Sequence, residues 1–134
     1  SFVQTKRKLL LLKGKKCMNY LWVAFGGGLG AALRLFVSQQ FVFPLGTMVV
    51  NVLGSFAMGY AFVYLNDRLL HPMGLFLMIG MIGGFTTFSA FSLDVLKLWE
   101  ASQTLLALSY IFGSVIISIC ALLLASTIAK IIMN

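Results

Sequence analysis

The sequence predicts an all-α membrane protein of four transmembrane helices. Three observations predict it: a composition poor in charge, four apolar runs of membrane-crossing length, and short polar connections between them. Of the 134 residues, 60% are hydrophobic and 10% charged, against the roughly half-apolar, quarter-charged mix of a soluble domain. Mean hydropathy is +1.01. So few charged side chains leave most of a water-facing exterior uncovered, and the chain reads as one domain in lipid.

The apolar runs lie near 20–38, 47–65, 73–96 and 104–128, each about the 20 residues that cross a ~30 Å hydrocarbon core. They are long and continuous, whereas barrel strands alternate over about 10 residues, so helices are expected. The connections carry turn signals: Ser38-Gln39-Gln40 with Pro44, Asn66-Asp67-Arg68 with His71-Pro72, and Lys97 through Gln103. Connections this short make neighbouring helices antiparallel and put both termini on one side.

The formal charge of +7 does not indicate a nucleic-acid partner, because Lys6, Arg7, Lys8, Lys13, Lys15 and Lys16 supply six of the ten basic residues. Met18 followed by Asn19-Tyr20-Leu21-Trp22 reads as a chain start. Residues 1–17 are therefore expected to be a basic extension that is non-native or a misassigned start, and 18–134 the four-helix transmembrane domain; a basic anchor is the alternative. The Leu9–Leu12 run is too short for a secretory signal. Beyond Met18, Arg34, Arg68, Lys97 and Lys130 face Asp67, Asp94 and Glu100, a balance of +1. Arg68 and Lys130 fall on the N-terminal side of the membrane and Arg34 and Lys97 on the other, a tie under the positive-inside rule. A tie removes the orienting bias, so insertion both ways and an antiparallel homodimer are expected. The six leading basic residues, if native, break the tie toward an internal N-terminus. Cys17 and Cys120 make no disulfide framework, and His71 alone assembles no Cys/His metal site.

Within the spans, several residues are unusual for a lipid-facing surface. Gly26 and Gly30 form a GxxxG, extended by Gly27 and Ala31, which reads as close helix packing. Arg34 near that span's end either snorkels to the interface or draws anions to a pore mouth. Thr47, Asn51, Ser55 and Gly59 recur every fourth residue and make one polar and small stripe. Interhelical hydrogen bonding explains such a stripe, but the Asn51 amide also offers an anion two donors without net charge. Tyr110, Ser114 and Ser118 repeat the pattern in the fourth span. The third span holds Gly80 and the stretch Gly83-Gly84-Phe85-Thr86-Thr87-Phe88-Ser89-Ala90-Phe91-Ser92, poor helix material. A third helix broken at its middle is expected there. Such a break is tolerated at membrane depth where its peptide groups line a cavity or bind something; an unbroken helix with a packing notch is the alternative. Phe88 and Phe91 share a helical face, where they either pack or present positive ring edges to a small anion.

These motifs resemble the Fluc (CrcB-type) fluoride channel family: Gly-Gly-x-x-Gly-Ala-x-x-Arg ending at Arg34, Gly46-Thr47 leading to Asn51-Val52-x-Gly54-Ser55-Phe56, and above all Gly-Gly-Phe-Thr-Thr-Phe-Ser-x-Phe-Ser from Gly83. The resemblance covers essentially everything after Met18. It implies a multi-pass plasma-membrane channel exporting fluoride passively to relieve fluoride toxicity, built as an antiparallel dual-topology homodimer with two pores. It further implies a structural Na+ at the dimer centre, held by backbone carbonyls of Gly83 and Thr86. By motif position Phe88 and Phe91 belong to an aromatic box beside the anion and Asn51 donates to fluoride. Thr47, Ser89, Tyr110, Ser114 and Ser118 match polar pore positions, and Arg34 the vestibule. Ala90 stands where the family commonly has Thr, which removes a hydroxyl, and the basic leader is atypical.

Two other classes are weighed. A proton-coupled small multidrug-resistance transporter also has four short spans, but it requires an intramembrane Glu in the first span, and none is there. A non-transporting assembly subunit is consistent with the GxxxG and the polar stripe alone. No nucleophile, base and orienting group can be assembled into an enzyme site.

Overall fold

The computed structural model describes residues 2–66 and 68–133, and side chains throughout that range except at 2, 3, 5, 6 and 8–10. The expectations that involve Asp67 and the side chains of Lys6, Lys8, Leu9 and Leu10 lie outside the described residues. Among the described residues every regular element is helical, and four helices are long and apolar enough to cross a membrane: Leu11–Ser38, Leu45–Leu65, Pro72–Glu100 and Thr104–Met133. At 1.5 Å per residue the shortest is roughly 30 Å long, matching the hydrocarbon core.

The helices overrun the apolar runs at several ends. The first extends back to Phe2, because Leu, Lys and Arg are good helix formers and nothing in the basic segment interrupts them except Gly14. The second begins after Pro44 and stops at Leu65, where Asn66 takes φ 45° and ψ −122°, outside the helical region, so the chain turns away there. The third starts with Pro72 at its first position after an extended His71, where the missing N–H costs nothing. The fourth runs Thr104–Met133.

Packing depends on small residues. A Cβ on Gly26 would overlap the Phe76 carbonyl, and one on Gly30 the Met81 carbonyl. The first helix therefore lies backbone to backbone on the leading half of the third, as the GxxxG face allows. A Cβ on Gly59 would likewise overlap the Leu122 carbonyl, and the second and fourth helices form the other closely packed pair. Val50, Ala107, Ala125 and Ala129 are fully buried. The outward surface is large and apolar, including Phe25, Phe62, Phe112 and Leu123. Such a surface suits lipid, and the chain is a multi-pass membrane protein.

Candidate functional site: an extended link between two half-helices

Within the third span, Pro72–Gly74 leads into a π-helical segment, Leu75–Ile82, in which the N–H of Gly83 reaches back to the Met78 carbonyl. Gly83–Phe85 completes the leading half and Phe88–Glu100 forms the trailing half. Between them Thr86 (φ −76°, ψ 155°) and Thr87 (φ −152°, ψ 122°) are extended. The leading half closes on Thr86, whose N–H and Oγ1 both donate to the Ile82 carbonyl, at 3.1 and 3.2 Å. The trailing half opens on Thr87, whose Oγ1 accepts from the Ala90 N–H at 3.1 Å, a side-chain N-cap.

Asn51 in the second helix grips this link. Its Oδ1 accepts the Thr87 N–H at 2.8 Å and its Nδ2 donates to the Thr87 carbonyl at 2.9 Å. An amide has two N–H donors, so one remains. Three residues on, Gly54 faces Thr86: a Cβ there would overlap the Thr86 methyl and sit 3.2 Å from the Phe85 ring.

These bonds decide which carbonyls are left over. In a continuous helix the Thr87 N–H would serve Gly83 and the Ala90 N–H would serve Thr86; here they go to Asn51 and to Thr87 Oγ1. Among the described residues the Thr86 carbonyl meets only Nη1 of Arg34, at a long 3.5 Å. The oxygens of Gly83 and Thr86 are thus the kind of neutral donors a hard cation takes, and the residues present fit a sodium ion. Among the described residues no cluster of His, Cys, Asp or Glu offers a side-chain metal site.

A groove of about 500 Å³ runs along the link. Of the residues singled out from sequence, Asn51, Gly83, Thr86, Phe88, Phe91, Ser114 and Ser118 line it, and Thr47, Ser89, Tyr110 and Arg34 do not. Phe88 projects, 76% exposed, while Phe91 is buried, and their ring centroids are 5.4 Å apart. Behind Phe91 stands Tyr110, also 5.4 Å between centroids, with Thr47 and Ser114 beside its hydroxyl. The Oγ of Ser114 is buried and unpaired. Ser89 is exposed and sits 3.2 Å from Thr87 Oγ1. Arg34 is half-buried, with its Nη1 3.5 Å from the Thr86 carbonyl of the link.

Three participants were not singled out from sequence. Thr87 caps the trailing half and is the residue Asn51 holds; its position three residues before Ala90 was the available signal. Ser55 lines the groove; in the sequence it is one member of the polar stripe. Asp94, counted from sequence only in the charge balance, is buried in the trailing part of the third span and accepts a hydrogen bond from the Tyr110 hydroxyl at 3.2 Å. Its spacing of three from Phe91 places it on the same helical face.

The family model described as "CrcB-like protein, Camphor Resistance (CrcB)" matches residues 21–126. The chain is similar to the "Fluoride-specific ion channel FluC" of Paracoccus denitrificans, 43% identical over 117 residues that cover 84% of this chain and 94% of the relative. It is similar to the protein of the same name in Mesorhizobium japonicum, 44% identical over 119 residues, 84% of this chain and 96% of that one. A Helicobacter pylori protein of that name is 36% identical over 120 residues, 83% of this chain and 92% of the relative.

Proposed function

The chain belongs to the CrcB-like family, and from that premise we propose that it is a fluoride-selective channel of the plasma membrane, passing the ion passively outward to relieve fluoride toxicity. The observation that carries the reading is one groove in which the remaining Asn51 N–H, the Ser114 hydroxyl and the rings of Phe88 and Phe91 come together without a fixed full charge.

The physics is that of replaced water. Transferring a small bare ion from water to a medium of ε ≈ 4 costs of order 20 kcal/mol, so the path must offer donors where hydration is lost. Asn51 is held at two points by Thr87, which fixes where its spare N–H can aim. Phe88 and Phe91 offer the positive edges of their rings. Ser114 and Ser118 continue the hydroxyls along the fourth helix, and Tyr110 with Thr47 extends them behind Phe91. Neutral donors bind weakly enough for the ion to leave, which conduction requires.

The finer architecture is part of the same proposal. A third helix broken in its middle is supported by the extended backbone of Thr86 and Thr87. A sodium ion held by the carbonyls of Gly83 and Thr86 would raise the local potential and so favour an anion nearby. An antiparallel dual-topology homodimer with two pores is supported by the tied charge count beyond Met18 and by an open groove from which Phe88 projects. Arg34, outside the groove, is the basic residue of the vestibule. The activity is transport rather than catalysis.

Reconstitution into liposomes with a fluoride electrode tests the reading. Fluoride efflux well above that of empty vesicles, with chloride left behind, is the expected result; vesicles that retain fluoride overturn it.

A further inference from the structure

We propose that Asn51 and Gly54 are positioning residues for a cation as well as parts of an anion path: the second helix holds the link at Thr86 and Thr87 open, and thereby keeps the carbonyls of Gly83 and Thr86 available to an alkali cation. The inference rests on the channel reading only for the anion half of that coupling.

A helix interrupted at two residues tends to heal, because each lost main-chain bond leaves a buried donor and acceptor unpaired. The healing bond here would run from the Thr87 N–H to the Gly83 carbonyl. Asn51 Oδ1 takes that N–H at 2.8 Å, and Nδ2 takes the carbonyl of the same residue at 2.9 Å. The side chain imitates the pairing of a neighbouring strand and suits an extended Thr87, at φ −152° and ψ 122°. While Asn51 holds both groups, the Gly83 oxygen has no helical donor.

Gly54 works on Thr86 from the same helix, three residues along. The Thr86 methyl occupies the place of a Gly54 Cβ. The methyl is not free to swing away, since Thr86 Oγ1 donates to the Ile82 carbonyl at 3.2 Å and the Phe85 ring flanks the site at 3.2 Å. The fit seats Thr86, and with it the direction of its carbonyl. A side chain added at position 54 must displace either the Thr86 hydroxyl bond or the link itself. One face of the second helix therefore serves both ions, Asn51 through its spare donor to the anion and through its two spent groups to the cation.

The test is thermal melting of the purified full-length chain in detergent, titrating sodium chloride against N-methylglucamine chloride. The wild type is expected to melt higher as sodium rises, with a saturable midpoint. Asn51→Ala and Gly54→Ala are each expected to raise that midpoint about tenfold, the scale of one lost net hydrogen bond. Gly54→Ala/Thr86→Ser, which removes the obstructing methyl and keeps the hydroxyl, is expected to recover most of the loss. Gly28→Ala, where an added Cβ meets nothing within 4 Å, is expected to keep the wild-type midpoint. The proposal is overturned if Asn51→Ala or Gly54→Ala folds and keeps the wild-type midpoint, or if the double variant is no better than Gly54→Ala. Should Asn51→Ala fail to fold, the Gly54 pair decides. A wild type indifferent to sodium that still passes fluoride overturns this inference and leaves the channel standing; a sodium-responsive protein that retains fluoride does the reverse.

Discussion

Phe88 separates conduction from stability. Its side chain is 76% exposed in one copy of the chain, and its ring partner is Phe91, 5.4 Å away between centroids at 48°. In lipid an apolar side chain gains no hydrophobic energy by being covered, only van der Waals packing, and a side chain only a quarter covered has little of that. The aromatic pair is worth about 0.5–1.5 kcal/mol, part of which Leu recovers by apolar contact. Phe88→Leu is therefore expected to cost the fold roughly 1 kcal/mol at most. Conduction is a different matter. If a ring edge replaces one water of the ion, its loss resembles loss of a hydrogen bond to a charged group, about 1.5–3 kcal/mol, which is roughly 10- to 100-fold in rate. Fluoride efflux from liposomes and thermal melting of the same preparation measure the two effects. Efflux at the wild-type rate from a folded variant would refute the role of the ring, and efflux falling only in step with the melting temperature would assign Phe88 to packing.

Other perturbations follow from single contacts. Tyr110→Phe removes the hydroxyl that donates to buried Asp94 and is expected to cost about 1–3 kcal/mol, the penalty of an unpaired buried acceptor, read as a lowered melting temperature. Gly30→Val puts a side chain onto the Met81 carbonyl and is expected to cost at least the ~1–3 kcal/mol of an overpacked core. Gly28→Ala, with nothing within 4 Å, is expected to be neutral or to gain up to ~1 kcal/mol of helix propensity; equal melting temperatures for the two variants would refute the backbone-to-backbone contact. Thr87→Ala removes the cap of the trailing half-helix and is expected to cost ~1 kcal/mol, while Thr87→Ser keeps the oxygen and most of the stability, again by melting temperature.

The four spans were legible because burial in lipid needs only continuous apolar length, and length is written directly in runs such as Leu45–Leu65. The small-residue face of Gly26 and Gly30 was legible for a similar reason: spacing alone puts both on one side of a helix. The Gly/Thr stretch of the third span announced weak helix propensity, but not which peptide groups would be spoken for. That depends on Asn51, 36 residues away, and on how far the second helix is rotated about its axis. The burial of Asp94 depends in the same way on a distant partner, Tyr110, 16 residues on, whose hydroxyl donates to it. The π-helical winding of Leu75–Ile82 was invisible too, because it shifts every later side chain around the axis without changing composition.

Arg34 exposes a competition at the centre of the site. Its Nη1 lies 3.5 Å from the Thr86 carbonyl, one of the two oxygens proposed for a cation. Two unit charges about 4 Å apart repel by about 4 kcal/mol at an effective dielectric of 20, too much for a guanidinium and a bound sodium ion to share one oxygen comfortably. Cation binding should therefore push Arg34 off the link toward the membrane interface, where its charge favours arriving anions. Arg34→Gln removes the competitor and is expected to lower the sodium midpoint of melting, while fluoride flux falls most at low ionic strength, where an unscreened charge attracts best. Arg34→Lys keeps the charge on a single ammonium and is expected to retain more of the flux. A sodium midpoint unchanged in Arg34→Gln would mean that the guanidinium and the cation never contend for Thr86. In that case the charge of Arg34 serves the Thr86 peptide itself, as a fixed donor to the link.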